Sequence, residues 1–344
     1  MAIRLLFSHT KETPMNKKTI KVQFADLCRH TTKLIRPILS ARYNLDFCDN
    51  PDFVFFSVFG QSHKKYKNCV KIFVTGENIL PNFNECDYGT GFDYMDFGTR
   101  YFRKTYTVPP REINDRTGVT PDMVRRKFCN FIYSNTSMGA GAILRQQFCQ
   151  ALMQYRHVDC PGRVLHNLDT DALNARGDED WAASKQRFLE NYKFTIAFEN
   201  SSSNGYTTEK LIQPLLAKSV PIYWGNPMVV REFNPRAFIN CNDYNNDFDR
   251  IIERIRELDN DDEQYLAMLR ETPMQPDFDF DQDEKFAQWI YDIIERGNTP
   301  FNKDPLLFQI PYGKSGNFLL RRDTHRTHEK IYICGIRVAK RKLK

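Results

Sequence analysis

Acidic, basic and amide side chains converge on one stretch of the chain. Residues 193–225 read KFTIAFENSSSNGYTTEKLIQPLLAKSVPIYWG, an order that predicts strand, loop, helix and strand. The first strand ends at Glu199 and Asn200, delivering polar groups to the carboxyl edge of a parallel sheet, where α/β folds place their ligands. Loop 201–205 lets backbone N–H groups approach an anion, and the next helix, capped by Thr207 or Thr208, points its positive end the same way. Lys210 puts a full positive charge in that first turn. A cation there is disfavoured by about 0.3–1 kcal/mol unless an anion intervenes, so two readings stay open: a lysine paired with Glu209 or solvent, and a lysine on a bound phosphate. Pro214 inside the same helix should kink it.

Two further groups could take part. Glu77 follows Gly76 and a predicted strand at 70–75, which places a carboxylate at a sheet edge facing a cleft, although Gly-Glu-Asn also makes a plain turn. Arg145 lies in a helix predicted over 141–155, after a loop at 134–137, and is on pattern alone an ordinary helix-surface arginine. Asp-x-Asp pairs, which could hold a divalent cation, occur at Asp169/Asp171, Asp178/Asp180 and Asp277/Asp279, but none follows a convincing strand.

The elements that must position these groups alternate. Strands are expected at 20–24, 43–47, 53–59 and 70–75 around a helix near 30–39, then at 127–133, 193–198 and 220–224, with helices at 180–189, from 208, and near 247–258 and 282–297. This is an α/β layout, and the second half reads as a Rossmann-like unit. The polar run 109–122 reads as a linker, and 277–283 as a solvated acidic helix start.

A chain of 344 residues suggests roughly two domains, and its 41% hydrophobic content excludes wholesale disorder. The longest apolar run, 53–59, is far short of the roughly 18 residues that span a bilayer. The start lacks the apolar length of a signal peptide, and Met15-Asn16-Lys17-Lys18 reads as a natural beginning that makes residues 1–14 dispensable. Nine irregularly spaced cysteines without a CxxC pair argue against a disulfide framework or zinc site, so a cytoplasmic location is expected. Residues 321–344 hold nine Lys and Arg against Asp323 and Glu329, more than the whole +6 charge. The rest is therefore near neutral, and no nucleic-acid partner is expected. The basic, partly aliphatic end suits the surface of an anionic membrane.

FENSSSNGYTTEK followed by VPIYWG, with its FEN, Y-x-TEK and VP-x-x-x-G elements, resembles the donor-binding motif of the alpha-1,3-fucosyltransferases, the GDP-fucose-dependent enzymes of glycosyltransferase family 10. A looser similarity runs from about residue 70 to about 248 and includes TGEN at 75–78, PNFNECDYGTGFDYMDF at 81–97 and DCPGRVLHN at 159–167. The resemblance implies an α/β, GT-B fold, two Rossmann-like domains facing each other across a cleft. Residues 1–117 would bind the acceptor, 118–300 would bind GDP-fucose, and 301–344 would form the basic tail. It implies inverting transfer of L-fucose to a GlcNAc-containing glycan, α-1,3 linkage foremost, with Glu77 as general base and Arg145 and Lys210 stabilising the leaving GDP. Asn200, Tyr206 and Glu209 match donor-binding residues, Glu209 accepting hydrogen bonds from ribose or fucose hydroxyls.

No metal site or cofactor is required on this reading, and a divalent ion is at most stimulatory. The basic tail adds peripheral attachment to the cytoplasmic face of a membrane, where a lipid-linked or lipopolysaccharide-type acceptor would be found. Residues 201–203 fill the motif's variable loop, and the heptad repeats that some bacterial members carry are missing. The alternatives are a metal-dependent sugar transferase using an Asp-x-Asp pair and a catalytically silent glycan-binding protein.

Overall fold

The computed structural model describes residues 17–301 apart from 106–107, 136–139, 176–177, 179 and 279–281, together with the backbone of three strands between Leu320 and Lys342. The expectation about residues 1–14 falls outside the described residues. Two compact units form: one is Thr105–Asp283, and the other joins the described residues up to Lys104 with those from Glu284 on.

The amino-terminal unit is built on β1 (Thr19–Ala25), α1 (Arg29–Arg42), β2 (Asn44–Phe47), β3 (Phe53–Phe56), β4 (Val70–Phe73), β5 (Tyr88–Gly91) and β6 (Tyr101–Arg103). Its six strands lie in the order β2-β1-β3-β4-β5-β6, every pair parallel. All four residues of β3 (FVFF) are buried, as an unbroken apolar run must be in a parallel sheet covered on both faces, and all four of β4 are buried too, Lys71 among them. The strand expected over 53–59 stops at Phe56, which releases 57–60 as loop.

The carboxy-terminal unit opens with α2 (Pro110–Ile113), inside the stretch expected as a linker. Two aliphatic side chains anchor that stretch: Val108 and Ile113 are fully buried in the unit's core. Asn114 Oδ1 accepts the Met274 N–H at 3.2 Å and Arg116 donates to the Leu215 carbonyl at 3.0 Å. The chain accordingly changes unit at Lys104/Thr105 and not near residue 117. There follow β7 (Lys127–Asn130), α3 (Ala140–Met153), β8 (Val158–Asp159), α4 (Trp181–Leu189), β9 (Tyr192–Phe198), α5 (Glu209–Leu216), β10 (Val220–Trp224), β11 (Ile239–Asn240), α6 (Phe248–Asn260) and α7 (Asp262–Arg270). The strands run β11-β10-β9-β7-β8, all parallel. This is the doubly wound 2-1-3-4-5 order. All seven residues of β9 are buried. Helix α7 was not expected from the sequence.

The chain then returns to the amino-terminal unit. Helix α8 (Asp283–Glu295) packs Phe286, Ile290, Ile293 and Ile294 against Ile20, Val22, Ile35 and Leu39. Trp289 Nε1 donates to the Thr99 carbonyl at 2.9 Å. Strands β12 (Leu320–His325), β13 (His328–Ile333) and β14 (Ile336–Lys342) pair antiparallel in that order within the stretch expected as a basic tail. Among the described residues no helix is long and apolar enough to cross a membrane, and the eight described cysteines are unbridged.

One buried ion cluster pins the start of β9. Asp259, near the end of α6, receives Lys193 Nζ at 2.9 Å, Arg156 Nη1 at 2.7 Å and the Tyr155 hydroxyl at 3.0 Å. Burial pushes its pKa up, yet the Lys193 and Arg156 hydrogen bonds override this and hold the carboxyl below its ordinary 3.8. Removing one partner strands the buried Lys193 charge, so Asp259→Ala should lower unfolding free energy by about 3–5 kcal/mol in urea at pH 7. Because the folded pKa is depressed, the carboxylate stabilises fully above about pH 4 and loses its effect as pH falls through the folded value. The gap between variant and wild type should therefore narrow on acidification.

Candidate active site

The strand order puts a switch point between β7 and β9. After β7 the chain goes to β8 on one side and resumes with β9 on the other, so the loops leaving the two carboxyl ends diverge and open a crevice. Tyr133, just past β7, bridges it. Its hydroxyl lies 3.0 Å from the carbonyls of Ile196 and Phe198 and accepts the Phe198 N–H at 2.8 Å. The motif at 159–167 braces this tyrosine from behind, since a Cβ on Gly162 would sit 2.3 Å from the Tyr133 carbonyl oxygen.

Arg145 is not a surface residue. It is 1% exposed, donates through Nη1 to Asn200 Oδ1 at 2.8 Å and through Nη2 to the Asn135 carbonyl at 2.7 Å, and lies 4.1 Å from the Tyr133 ring centre. Burial pulls its pKa down, while Tyr133 and Glu199 oppose that shift. The guanidinium thus ties the loop after β7 to the loop after β9. The first turn of α3 meets the same place: Gly141 N donates to the Asn200 carbonyl at 3.2 Å, and a Cβ on Gly141 would lie 2.3 Å from the Glu199 carbonyl oxygen.

Glu199, which the sequence places at the sheet edge but gives no role in the site, lies at its centre. Its side chain is 0% exposed and lies 3.1 Å from Lys210 Nζ. It accepts the Thr208 N–H at 2.8 Å and the Thr208 hydroxyl at 2.9 Å. Burial raises its pKa against the pull of Lys210. Lys210 also reaches Thr208 Oγ1 at 3.2 Å and Glu209 Oε1 at 3.4 Å. Burial acts to lower the Lys210 pKa, but Glu199 and then Glu209 more than reverse this and hold it well above the ordinary value. For Glu209 burial pushes up, and Lys210 followed by Lys185 brings it down to about 2. Lys210 therefore pairs with two carboxylates, and Thr208 caps α5 through Oγ1 to the Lys210 N–H. Gly225 makes room: a Cβ there would lie 2.4 Å from Glu199 Cγ.

The serine-rich loop closes on a buried amide, Asn226. Gly205 adopts φ +77°, a left-handed conformation that suits glycine. Asn226 Oδ1 accepts its N–H at 2.9 Å, and Asn226 Nδ2 donates to Thr207 Oγ1 at 3.1 Å. Tyr206 is buried, and its carbonyl lies 3.4 Å from the Tyr223 hydroxyl. Asn226 directly follows the VPIYWG motif, where a polar residue after a strand was its only sequence signal.

Glu77 belongs to the amino-terminal unit. It is exposed in the turn after β4, with its N–H on Thr75 Oγ1 at 3.0 Å, and the Thr75 N–H is held in turn by Thr90 Oγ1 at 3.3 Å. A carboxylate on a braced turn with open access can accept a proton from a bound hydroxyl. The carboxy-terminal unit brings Arg145, Asn200, Tyr206, Glu209 and Lys210 to the carboxyl edge of one sheet. Two cations there are balanced by two carboxylates and ringed with amide and hydroxyl groups, donors and acceptors of the kind that an anionic, hydroxyl-rich ligand would need. Of the Asp-x-Asp pairs, Asp169 and Asp171 are exposed, with Asp169 on His166 at 3.0 Å. Asp180 pairs with Arg187 at 3.0 Å, and Asp279 lies outside the described residues.

Gly141→Ala tests the contact between α3 and the 199–200 loop. Alanine favours a helix by about 1 kcal/mol over glycine, but backbone atoms of Glu199 and Asn200 occupy the Cβ position. A net loss of about 1–3 kcal/mol is expected in chemical denaturation. Gly76→Ala, whose Cβ would meet nothing within 4 Å, should stay within about 0.5 kcal/mol of wild type.

Comparison with known proteins bears on both units. Residues 21–108 match the Alpha-(1,3)-fucosyltransferase FucT N-terminal domain, and residues 123–274 match the Glycosyltransferase family 10 (fucosyltransferase) C-term. The chain is 33% identical over 279 residues to the Alpha-(1,3)-fucosyltransferase FucT of Helicobacter pylori, covering 69% of this chain and 55% of that one. It is 30% identical over 212 residues to the GDP-fucose protein O-fucosyltransferase 3 of Canis lupus familiaris, covering 59% and 42%. It thus spans about half the length of these curated relatives. A crystal structure of an alpha1,3-fucosyltransferase with GDP-fucose superposes with a TM-score of 0.64 at 27% identity, covering 84% of this chain and 94% of that one. The α/β, GT-B expectation is met by two parallel sheets that match such a structure. With both units matched in sequence and the fold shared, the chain belongs to glycosyltransferase family 10, the fucosyltransferases.

Proposed function

We propose that the protein transfers L-fucose from GDP-fucose to a hydroxyl of a GlcNAc-containing glycan, with inversion and foremost in α-1,3 linkage. The observation that carries this reading is the Arg145–Asn200 and Glu199–Lys210–Glu209 constellation at the β7/β9 switch point in a chain of this family. Glu77 takes the proton of the acceptor hydroxyl as its oxygen attacks the anomeric carbon. The bond from that carbon to GDP breaks, and its electron pair stays on the diphosphate. Lys210 and Arg145 offset the charge that accumulates there. Asn200 and Tyr206 shape the donor pocket, and Glu209, its side chain 38% exposed, accepts hydrogen bonds from ribose or fucose hydroxyls.

Glu77→Gln keeps the shape of the turn and deletes the base. It should bind GDP-fucose as wild type does and lose about 10²- to 10⁴-fold in turnover. Transfer of labelled fucose to a panel of N-acetyllactosamine-type, other GlcNAc-containing and peptide acceptors, with linkage assigned by NMR, reads this loss and identifies the acceptor. Unchanged turnover removes Glu77 from the mechanism. Retained binding without transfer in the wild type supports a silent glycan-binding protein instead.

The basic carboxy-terminal segment supports a second proposal, peripheral attachment to an anionic membrane face with a lipid-linked acceptor. Its nine Lys and Arg in residues 321–344 would each contribute about 1 kcal/mol when near such a surface. Truncation after Leu320 should abolish sedimentation with vesicles containing anionic lipid, and equal sedimentation of both forms rules the attachment out.

A further inference from the structure

Lys210 has three ammonium hydrogens and three acceptors around it: Glu199 Oε2 at 3.1 Å, Thr208 Oγ1 at 3.2 Å and Glu209 Oε1 at 3.4 Å. A phosphate oxygen that approaches Lys210 must therefore replace one of them. The two carboxylates are not equivalent. Glu209 is 38% exposed and can turn to water, whereas Glu199 is 0% exposed. Glu199 is also fixed by the Thr208 N–H and hydroxyl, and its Cγ lies only 2.4 Å from where a Cβ on Gly225 would be. Pulling Glu199 away from Lys210 would leave a fully buried carboxylate short of a counter-charge, a larger penalty than releasing the half-buried Glu209.

We propose that Glu199 is a positioning residue that holds the Lys210 ammonium at the carboxyl edge of the sheet, and that a nucleoside diphosphate displaces Glu209 from Lys210 while Glu199 stays. Glu209 is thereby freed for the sugar hydroxyls at the moment the diphosphate arrives. The inference rests on the fucosyl-transfer reading of this site. It adds a division of labour between two carboxylates, one permanent and one exchangeable.

The test follows the reactivity of Lys210 to reductive methylation, read by mass spectrometry in the full chain, with GDP as the probe. In Glu199→Gln the ammonium loses its buried counter-charge, so labelling should rise at least about tenfold, the change that one pKa unit produces, and GDP should no longer protect it. Glu209→Gln should raise labelling less and keep protection by GDP. In turnover, Glu199→Gln should lower kcat and bring the alkaline limb of its pH profile to lower pH, an effect a helix cap alone does not produce. A folded Glu199→Gln protein with wild-type labelling and an unmoved limb overturns the proposal, as does a larger effect of Glu209→Gln. Should Glu199→Gln fail to fold, Glu199→Asp retains the charge but draws it back by one methylene. Intermediate labelling supports the assignment, and wild-type labelling overturns it. Labelling without nucleotide needs neither donor nor turnover, so a wild-type protein that GDP does not protect defeats the donor reading separately from the Lys210–Glu199 pairing.

Discussion

A carboxylate buried at the end of a central strand is an expensive arrangement, and the architecture of the carboxy-terminal unit follows from how it is compensated. Glu199 must find its donors within the protein. It takes them from the first turn of α5 and from Lys210, and this fixes where that helix begins and how it meets β9. Gly225 leaves the space for the side chain, and Gly141 lets α3 approach the backbone of the same residue. Arg145 completes the frame by tying Asn200 to the loop beyond β7. Each wall of the crevice is thus hydrogen-bonded to another.

The electrostatic consequence is a site that is poised without a large net charge. Two cations face two carboxylates, and the least buried of the four groups is Glu209. Such a cluster does not attract anions from a distance, as a bare basic patch would. It exchanges one internal partner for a ligand at short range, which favours ligands able to use both the cation and the displaced carboxylate. A nucleotide sugar offers phosphate for the first and hydroxyls for the second.

Much of this was legible in the sequence where the signal was local. β10 is found at the expected 220–224, β9 begins one residue before the expected 193, and of the two expected caps Thr208 is the one that caps α5. Groups whose role depends on distant partners were not legible. Arg145 reads as a surface residue until Tyr133 and Asn200 are brought against it. Glu199 was seen as polar, but its burial depends on Thr208 and Gly225 folding back over it. Residues 109–122 looked like a linker because Ile113 and Val119 are the only aliphatic residues in a polar run. The periodicity of α8 showed an amphipathic helix without showing which sheet it covers.

That last placement bears on how the protein is made. The carboxy-terminal unit is one continuous stretch of chain, whereas the amino-terminal sheet lacks part of its hydrophobic cover until Phe286, Ile290 and Ile294 have been synthesised. Domains usually fold as units in the order the ribosome delivers them. Here the strands of the amino-terminal sheet must wait with an apolar face uncovered while the intervening unit is made, so the nascent chain carries an aggregation-prone surface until α8 has emerged.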